Sequence, residues 1–472
     1  MNDDVLRSVD FFKKLAVAPQ ISHEHVKIVS QILDNYFGTF ERSRNFRGVE
    51  TALSKRFGEM LSLLDREQGL TFTGRFFLFC YTLTLNYKAV QKSIFENIAI
   101  PFKKWAEKEW EFLGPSTAKI GRGKEYVFIC RHAVTKGGYA PGSSIYTFAK
   151  ALLNANNSVT VICLGSCNED FINIEKIYPK FRLAVLEDTP PSARLLTIIE
   201  LLKLLKPYVI LTEVEFDVVS ILSILRPNIP FIYLSPGYYN LPWFDKIGLT
   251  DNLIENPIGD RTDDFFEIPN YVSEEILNPS ISNQQIYDLK SQLDIKESDF
   301  VLGSFARMEK FQAPFLEVLH KSLERSKNIK IILAGPNDRS FVEKYLNSFV
   351  QNRRAIILPS SDVHVLGNCI QLGIDTFPTH SGFSMLEIMA KGIPVVAKQD
   401  KEMDALWKQR LPDLMRKTDE DLTDLICQLS SDKELYKSFV VKTVSLMKSD
   451  SNDEKFILAL ENAIMSCSKL NN

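Results

Sequence analysis

Asp375–Ala397 reads DTFPTHSGFSMLEIMAKGIPVVA. A short apolar piece ends in a loop broken by proline and glycine, a helical pattern follows, and Gly392-Ile393-Pro394 leads into a β-branched run. Strand, loop, helix and strand in this order form one crossover of a parallel sheet. The mouth of the helix carries two serines, a histidine and a glycine, and its first full turn carries one glutamate. Unpaired amides at a helix start, with the positive end of the helix dipole behind them, make a seat for phosphate. Gly382 permits close backbone approach, and Glu387, one turn in, can accept from two neighbouring ribose hydroxyls. Ser384 can also serve as an N-cap, with Glu387 three residues later completing a capping box, and both readings are open for the serines.

The same alternation extends upstream. DFVLGSFAR, IKIILAG, AIILPS, GIDTFP and IPVVA are short apolar runs, separated by helical patterns such as APFLEVLHKSLERS and VHVLGNCIQL. An earlier series has the same texture: YVFICRHAV, SVTVICLG, YVILTEV and PFIYLS, with helical stretches around SSIYTFAKALLNA, SARLLTIIELLKLL and VVSILSILR. Between them, about 241–280 is rich in Asp, Asn and Pro and reads as a connection. Residues 1–120 carry three-and-four apolar spacing, as in HEHVKIVSQILDNYF, and no convincing strand. The expected fold is α/β: two Rossmann-like doubly wound domains, 121–280 and 281–472, behind an all-helical domain, 1–120.

The 472 residues are 45% hydrophobic and 24% charged, with a net charge of −3, so no bulk attraction to nucleic acid or an anionic membrane is expected. Any anion must be held by local groups. The seven cysteines are too dispersed for a disulfide framework, and Cys163 and Cys167 lack the second pair or histidines of a zinc site. Cys130 and Cys163 sit in apolar runs and read as buried free thiols. The start, MNDDVLRSVDFF, is unlike a secretory signal, and no apolar run is long enough to span a bilayer, so a cytoplasmic protein is expected.

In open parallel sheets, ligands bind beyond the carboxyl ends of the strands. GSFARMEKF places Arg307 and Lys310 one helical turn apart after a strand, either facing a diphosphate or as two solvated cations. KGGYAPGSS puts Gly137, Gly138 and Gly142 after the first strand, a loop for acceptor or sugar. His132 ends that strand, as a candidate general base or as a hydrogen-bonded histidine without chemical role. Glu213, Glu215 and Asp217 in TEVEFD are acidic alternatives to it. His364 opens a helix where an imidazole can stack on a base, and His380 lies in the phosphate loop. In SPGYYNLPWF, Tyr238, Tyr239 and Trp243 can line an acceptor groove, although packing is the simpler reading.

LEIMAKGIPVVA is similar to the helix of GT-B glycosyltransferases written LEAMAxGxPVVA. Three patterns resemble, within that superfamily, the protein O-GlcNAc transferase and bacterial cytoplasmic N-glucosyltransferase family: SFARMEK, HVLGNCIQLGIDTFP and HSGFSMLE. The resemblance covers about 300–400 well and the earlier α/β series in outline. It implies that Lys310 binds the diphosphate with Arg307 beside it, that His364 contacts the base, and that Glu387 holds the ribose. His380, Ser381, Gly382, Phe383 and Ser384 would form the phosphate seat. Glu387 stands where that family has Asp, and the loop lacks its paired threonines. Retaining GT-B enzymes of the E-x7-E group carry a glutamate eight residues before the ribose-binding one, and Thr379 is there instead. Their Arg and Lys are five apart, while Arg307 and Lys310 are three apart.

The resemblance therefore implies an inverting, metal-independent hexosyltransferase that moves glucose or N-acetylglucosamine from a UDP-sugar to a protein side chain. The UDP-sugar is a substrate, and no cofactor is implied. Two alternatives stay open: a GT-B transferase that builds a lipid-linked or surface polysaccharide, and a non-catalytic GT-B-like partner that stabilises another protein. Homo- or hetero-oligomers are compatible with each.

Overall fold

The computed structural model describes residues 3–36, 49–83, 95–113, 123–135, 140–214, 216–225, 228–234, 241–250, 265–268, 273–336, 338–378, 380, 383–399, 412–450 and 453–467. The chain forms two compact units, Met1–Pro269 with Asp453–Asn472, and Asn270–Asn452.

The first unit holds a parallel sheet of β1 (Glu125–Cys130), β2 (Ser158–Cys163), β3 (Phe181–Val185), β4 (Val209–Thr212), β5 (Phe231–Leu234), β6 (Lys246–Thr250) and β7 (Phe265–Ile268). Their spatial order is β3-β2-β1-β4-β5-β6-β7. All of β1 is buried, and its side chains alternate between two cores. Val127 and Ile129 face Phe57, Phe76 and Phe102 of the helical start, while Tyr126, Phe128 and Cys130 face the other side. The helical start is therefore one cover of the first sheet, not a core of its own. Trp243 packs there, 5.5 Å from Phe102 and 5.5 Å from Phe216 between ring centroids. Tyr238 and Tyr239 lie outside the described residues.

The last helix, Asp453–Met465, belongs to this first unit and not to the second, where its position in the chain had put it. Phe456 stacks on Phe148 at 4.1 Å, and the Glu461 carboxylate accepts from Lys124 (2.7 Å) and from the Tyr126 hydroxyl. An amphipathic helix seeks an apolar face, and the open side of β1 supplies one.

The second unit holds β8 (Phe300–Phe305), β9 (Ile329–Ala334), β10 (Ala355–Leu358), β11 (Leu372–Ile374), β12 (Val395–Lys398) and β13 (Met415–Arg416), all parallel, in the order β10-β9-β8-β11-β12-β13. Both sheets thus begin with the doubly wound order 3-2-1-4-5-6. Two described pieces of the supposed connection, β6 and β7, are strands that widen the first sheet, and a third holds the short helix Glu274–Leu277 of the second unit. Among the described residues the cysteines are free thiols, with Cys130 and Cys163 buried. No described helix is long and apolar enough to cross a membrane.

Candidate functional site

In the second sheet the chain turns one way from β8 to β9 and the other way from β11 to β12, so the β8/β11 pair is a topological switch point. Both loops leaving it carry predicted site residues.

After β8, Ala306 and Arg307 lead into a short 3-10 turn, Met308–Lys310. Met308 and Phe311 are buried and anchor the turn, leaving Lys310 half-buried and Arg307 exposed. The turn lies against the end of β9 through Ala306 N–H to Ala334 O (3.0 Å) and Met308 N–H to Pro336 O (3.2 Å). Residue 335 has to be glycine, because a Cβ there would stand 1.7 Å from the Ala306 carbonyl oxygen. The Lys310 ammonium donates to the His380 carbonyl, so the cation leaving β8 reaches the loop leaving β11.

After β11, Asp375 is 1% exposed and its Oδ2 lies 2.9 Å from His380 Nδ1. The helix that follows runs Phe383–Ala390. Because it begins at Phe383, Ser384 lies within its first turn and the expected capping box with Glu387 does not form. The Ser384 hydroxyl instead donates to Phe305 O at 2.7 Å, fastening the helix mouth to the end of β8. Ser381 and Gly382 lie outside the described residues, as do Gly137, Gly138 and Glu215.

Glu387 and His364 come together one turn further on. His364 lies on the short helix Val363–Gly367, whose N-cap Asp362 accepts from the His364 amide at 2.8 Å. Its Nε2 is 3.8 Å from Glu387 Oε1, with the two side chains 17% and 13% exposed. Burial raises the Glu387 carboxyl to about 7, against the opposing pull of Lys391. Burial also lowers Lys391 to about 8. Lys391 and Gly335 were missed from sequence. A lysine at a helix end ordinarily reads as a partner of the helix dipole, and a glycine after a strand as an ordinary turn.

The switch point of the first sheet, β1/β4, holds the proposed base. His132 Nδ1 accepts the Ser166 amide (3.2 Å) and lies 2.9 Å from the Ser166 hydroxyl. With Nδ1 accepting, the neutral ring carries its proton on Nε2. Burial, with Arg131 beside it, lowers the His132 pKa and favours that neutral form. The ring so held presents an Nε2–H donor. Its acidic alternatives are also engaged: Glu213 accepts the Arg131 amide (2.8 Å), and Asp217 caps the helix Val218–Ile224.

No protein-family model matches this chain, and no curated protein does. Solved structures do. An O-GlcNAc transferase mutant from Thermobaculum terrenum is similar at 14% identity over 98% of each chain, with a TM-score of 0.57. HepE from Anabaena, in complex with UDP and glucose, is similar at 14% identity over 72% of this chain and 99% of its own, TM-score 0.53. A glycosyltransferase from Rickettsia africae is similar at 15% identity over 73% of this chain and 100% of its own, TM-score 0.55. Together with the two parallel sheets, these likenesses establish the GT-B fold, as the LEIMAKGIPVVA pattern led us to expect.

Proposed function

We propose that this chain is a glycosyltransferase that moves glucose or N-acetylglucosamine from a UDP-sugar to a protein side chain, inverting the anomeric carbon and using no metal ion. The observation that carries the reading is the Lys310 ammonium at the loop that opens onto the helix Phe383–Ala390, at the β8/β11 switch point. As the anomeric C–O bond breaks, charge grows on the departing diphosphate. A fixed ammonium and the first-turn amides stabilise that charge where it develops. Arg307, leaving the same strand, adds positive charge, and Glu387 holds the ribose. The acceptor hydroxyl or amide attacks the opposite face of the sugar and loses its proton to solvent or to a nearby base, for which His132 stays the candidate.

The UDP and glucose named with the Anabaena structure support a UDP-sugar donor. The likeness to the O-GlcNAc transferase runs along 98% of the chain, helical start included, and supports a protein acceptor. The test is a panel of UDP- and GDP-sugars, scored by thermal stabilisation and by transfer of labelled sugar. Stabilisation by UDP but not GDP, with label entering protease-sensitive material, is expected. Label entering an organic-extractable glycan would assign the chain to polysaccharide synthesis. Binding of UDP without turnover would make it a non-catalytic partner.

Glu387 adds a pH signature. If its carboxylate accepts from the ribose, UDP affinity rises as pH passes upward through about 7, where the group ionises. Between pH 6 and pH 8 the ionised fraction of such a group grows roughly tenfold, and affinity follows. The phosphate's own ionisation is common to wild type and Glu387→Gln, so the difference between their calorimetric pH profiles isolates the glutamate. Superimposable profiles would remove Glu387 from the ribose site.

A further inference from the structure

The ammonium of Lys391 makes three contacts within the second unit. It donates to Leu277 O at 2.7 Å and to Glu387 O at 2.9 Å, and it lies 3.3 Å from His364 Nδ1. The two carbonyls fix the position of Nζ independently of the histidine. An ammonium has three donors and no acceptor, so the contact with His364 requires Nδ1 to be the bare nitrogen. A doubly protonated imidazole would set one cation against another. Lys391, at about 8, is still mostly an ammonium at pH 7.

We propose that Lys391 is a positioning residue for ribose recognition: it holds His364 neutral with its proton on Nε2, presenting an N–H donor beside the Glu387 carboxylate. The proposal rests on the nucleotide reading above and adds what that reading lacks. A donor and an acceptor 3.8 Å apart suit one particular group, a hydroxyl, which accepts from the first while donating to the second. The ligand class is therefore a ribonucleoside diphosphate with that hydroxyl intact. His364 acts through a hydrogen bond to the sugar, in place of the stacking on the base expected from sequence.

The test compares UDP, 2′-deoxy-UDP and 3′-deoxy-UDP by calorimetry in wild type and Lys391→Met, with uridine as the measure of the phosphate contribution. Wild type should disfavour one deoxy compound by roughly tenfold or more, the loss expected when a site built for a hydroxyl meets an analogue without it. Lys391→Met should bring that ratio close to one while the preference for UDP over uridine persists. A variant that keeps both the wild-type ratio and wild-type affinity overturns the proposal. A second readout needs neither a variant nor a ligand. In ¹⁵N-histidine spectra at pH 7, with His364→Asn for assignment, His364 should show an unprotonated Nδ1, and a protonated Nδ1 overturns the proposal even if Lys391→Met does not fold. Failure of wild type to bind UDP at all would instead sink the nucleotide reading, and the spectrum would still judge the role of Lys391.

Discussion

Lys310→Ala should lower turnover of the UDP-sugar by roughly 10²–10³-fold, the usual loss when one fixed donor to a developing negative charge is removed. The expectation follows from where the ammonium is held. Met308 and Phe311 bury the apolar side of the turn, and the ammonium donates to the His380 carbonyl just ahead of the helix mouth. A charge that works on the leaving group acts mainly in the transition state, so kcat should fall more than KM rises. Lys310→Arg should recover only part of the activity, because a planar fork cannot replace a compact ammonium at one carbonyl. Initial rates with a labelled UDP-sugar decide the matter, and unchanged kcat in Lys310→Ala would take Lys310 out of the reaction.

The second large effect is expected at a residue that touches no substrate. Gly335→Ala places a Cβ 1.7 Å from Ala306 O and 2.7 Å from the Ala306 carbonyl carbon, both backbone atoms that cannot rotate aside. One of the two strand exits must shift. The cost should be roughly 3 kcal/mol, at the top of the range for overpacking. In a unit of this size that lowers the unfolding temperature by roughly 6–12 °C. UDP affinity should fall as well, since Ala306 begins the turn that carries Lys310. Gly74→Ala is the control. It lies within the helix Arg66–Leu83, its nearest neighbour would be Phe216 O at 3.5 Å, and alanine there should be neutral or slightly stabilising. Calorimetric scans of the two variants should therefore move apart, and a Gly335→Ala protein as stable as wild type would mean that the exits of β8 and β9 are not so closely apposed.

Most of the doubly wound pattern was legible because a parallel sheet is covered on both faces, which makes its central strands continuous apolar runs, as in YVFIC and IKIILA. The strands that escaped notice are short or marginal. β7 is only Phe265–Ile268, β13 is two residues, and β6 carries a glycine where Ile268 crosses closely. Periodicity told that the opening helices have apolar faces but not that these faces meet the first sheet. It was equally silent on the partner of the last helix, because docking across more than 300 residues of chain (Lys124 with Glu461, 337 apart) leaves no local trace.

The site divides in the same way. Lys310, His364 and Glu387 were singled out by their places after strands and at a helix mouth, and the structure brings His364 beside Glu387. The partners that aim them were not readable. Ser384 looks like a cap in sequence, yet it fastens the helix to Phe305. His132 has the right residue type and the right strand end for a base, but the Ser166 amide occupies its Nδ1, an interaction between residues 34 apart.

The central claim is that a diphosphate lies between the Lys310 ammonium and the first-turn amides of the helix Phe383–Ala390. A crystal structure with UDP tests it most directly. The account predicts a phosphate oxygen at about 2.7–2.9 Å from Lys310 Nζ, the distance of a charge-assisted bond, with further phosphate oxygens on the amides of the helix mouth. UDP bound elsewhere, with no phosphate oxygen within reach of Lys310 Nζ, would contradict it.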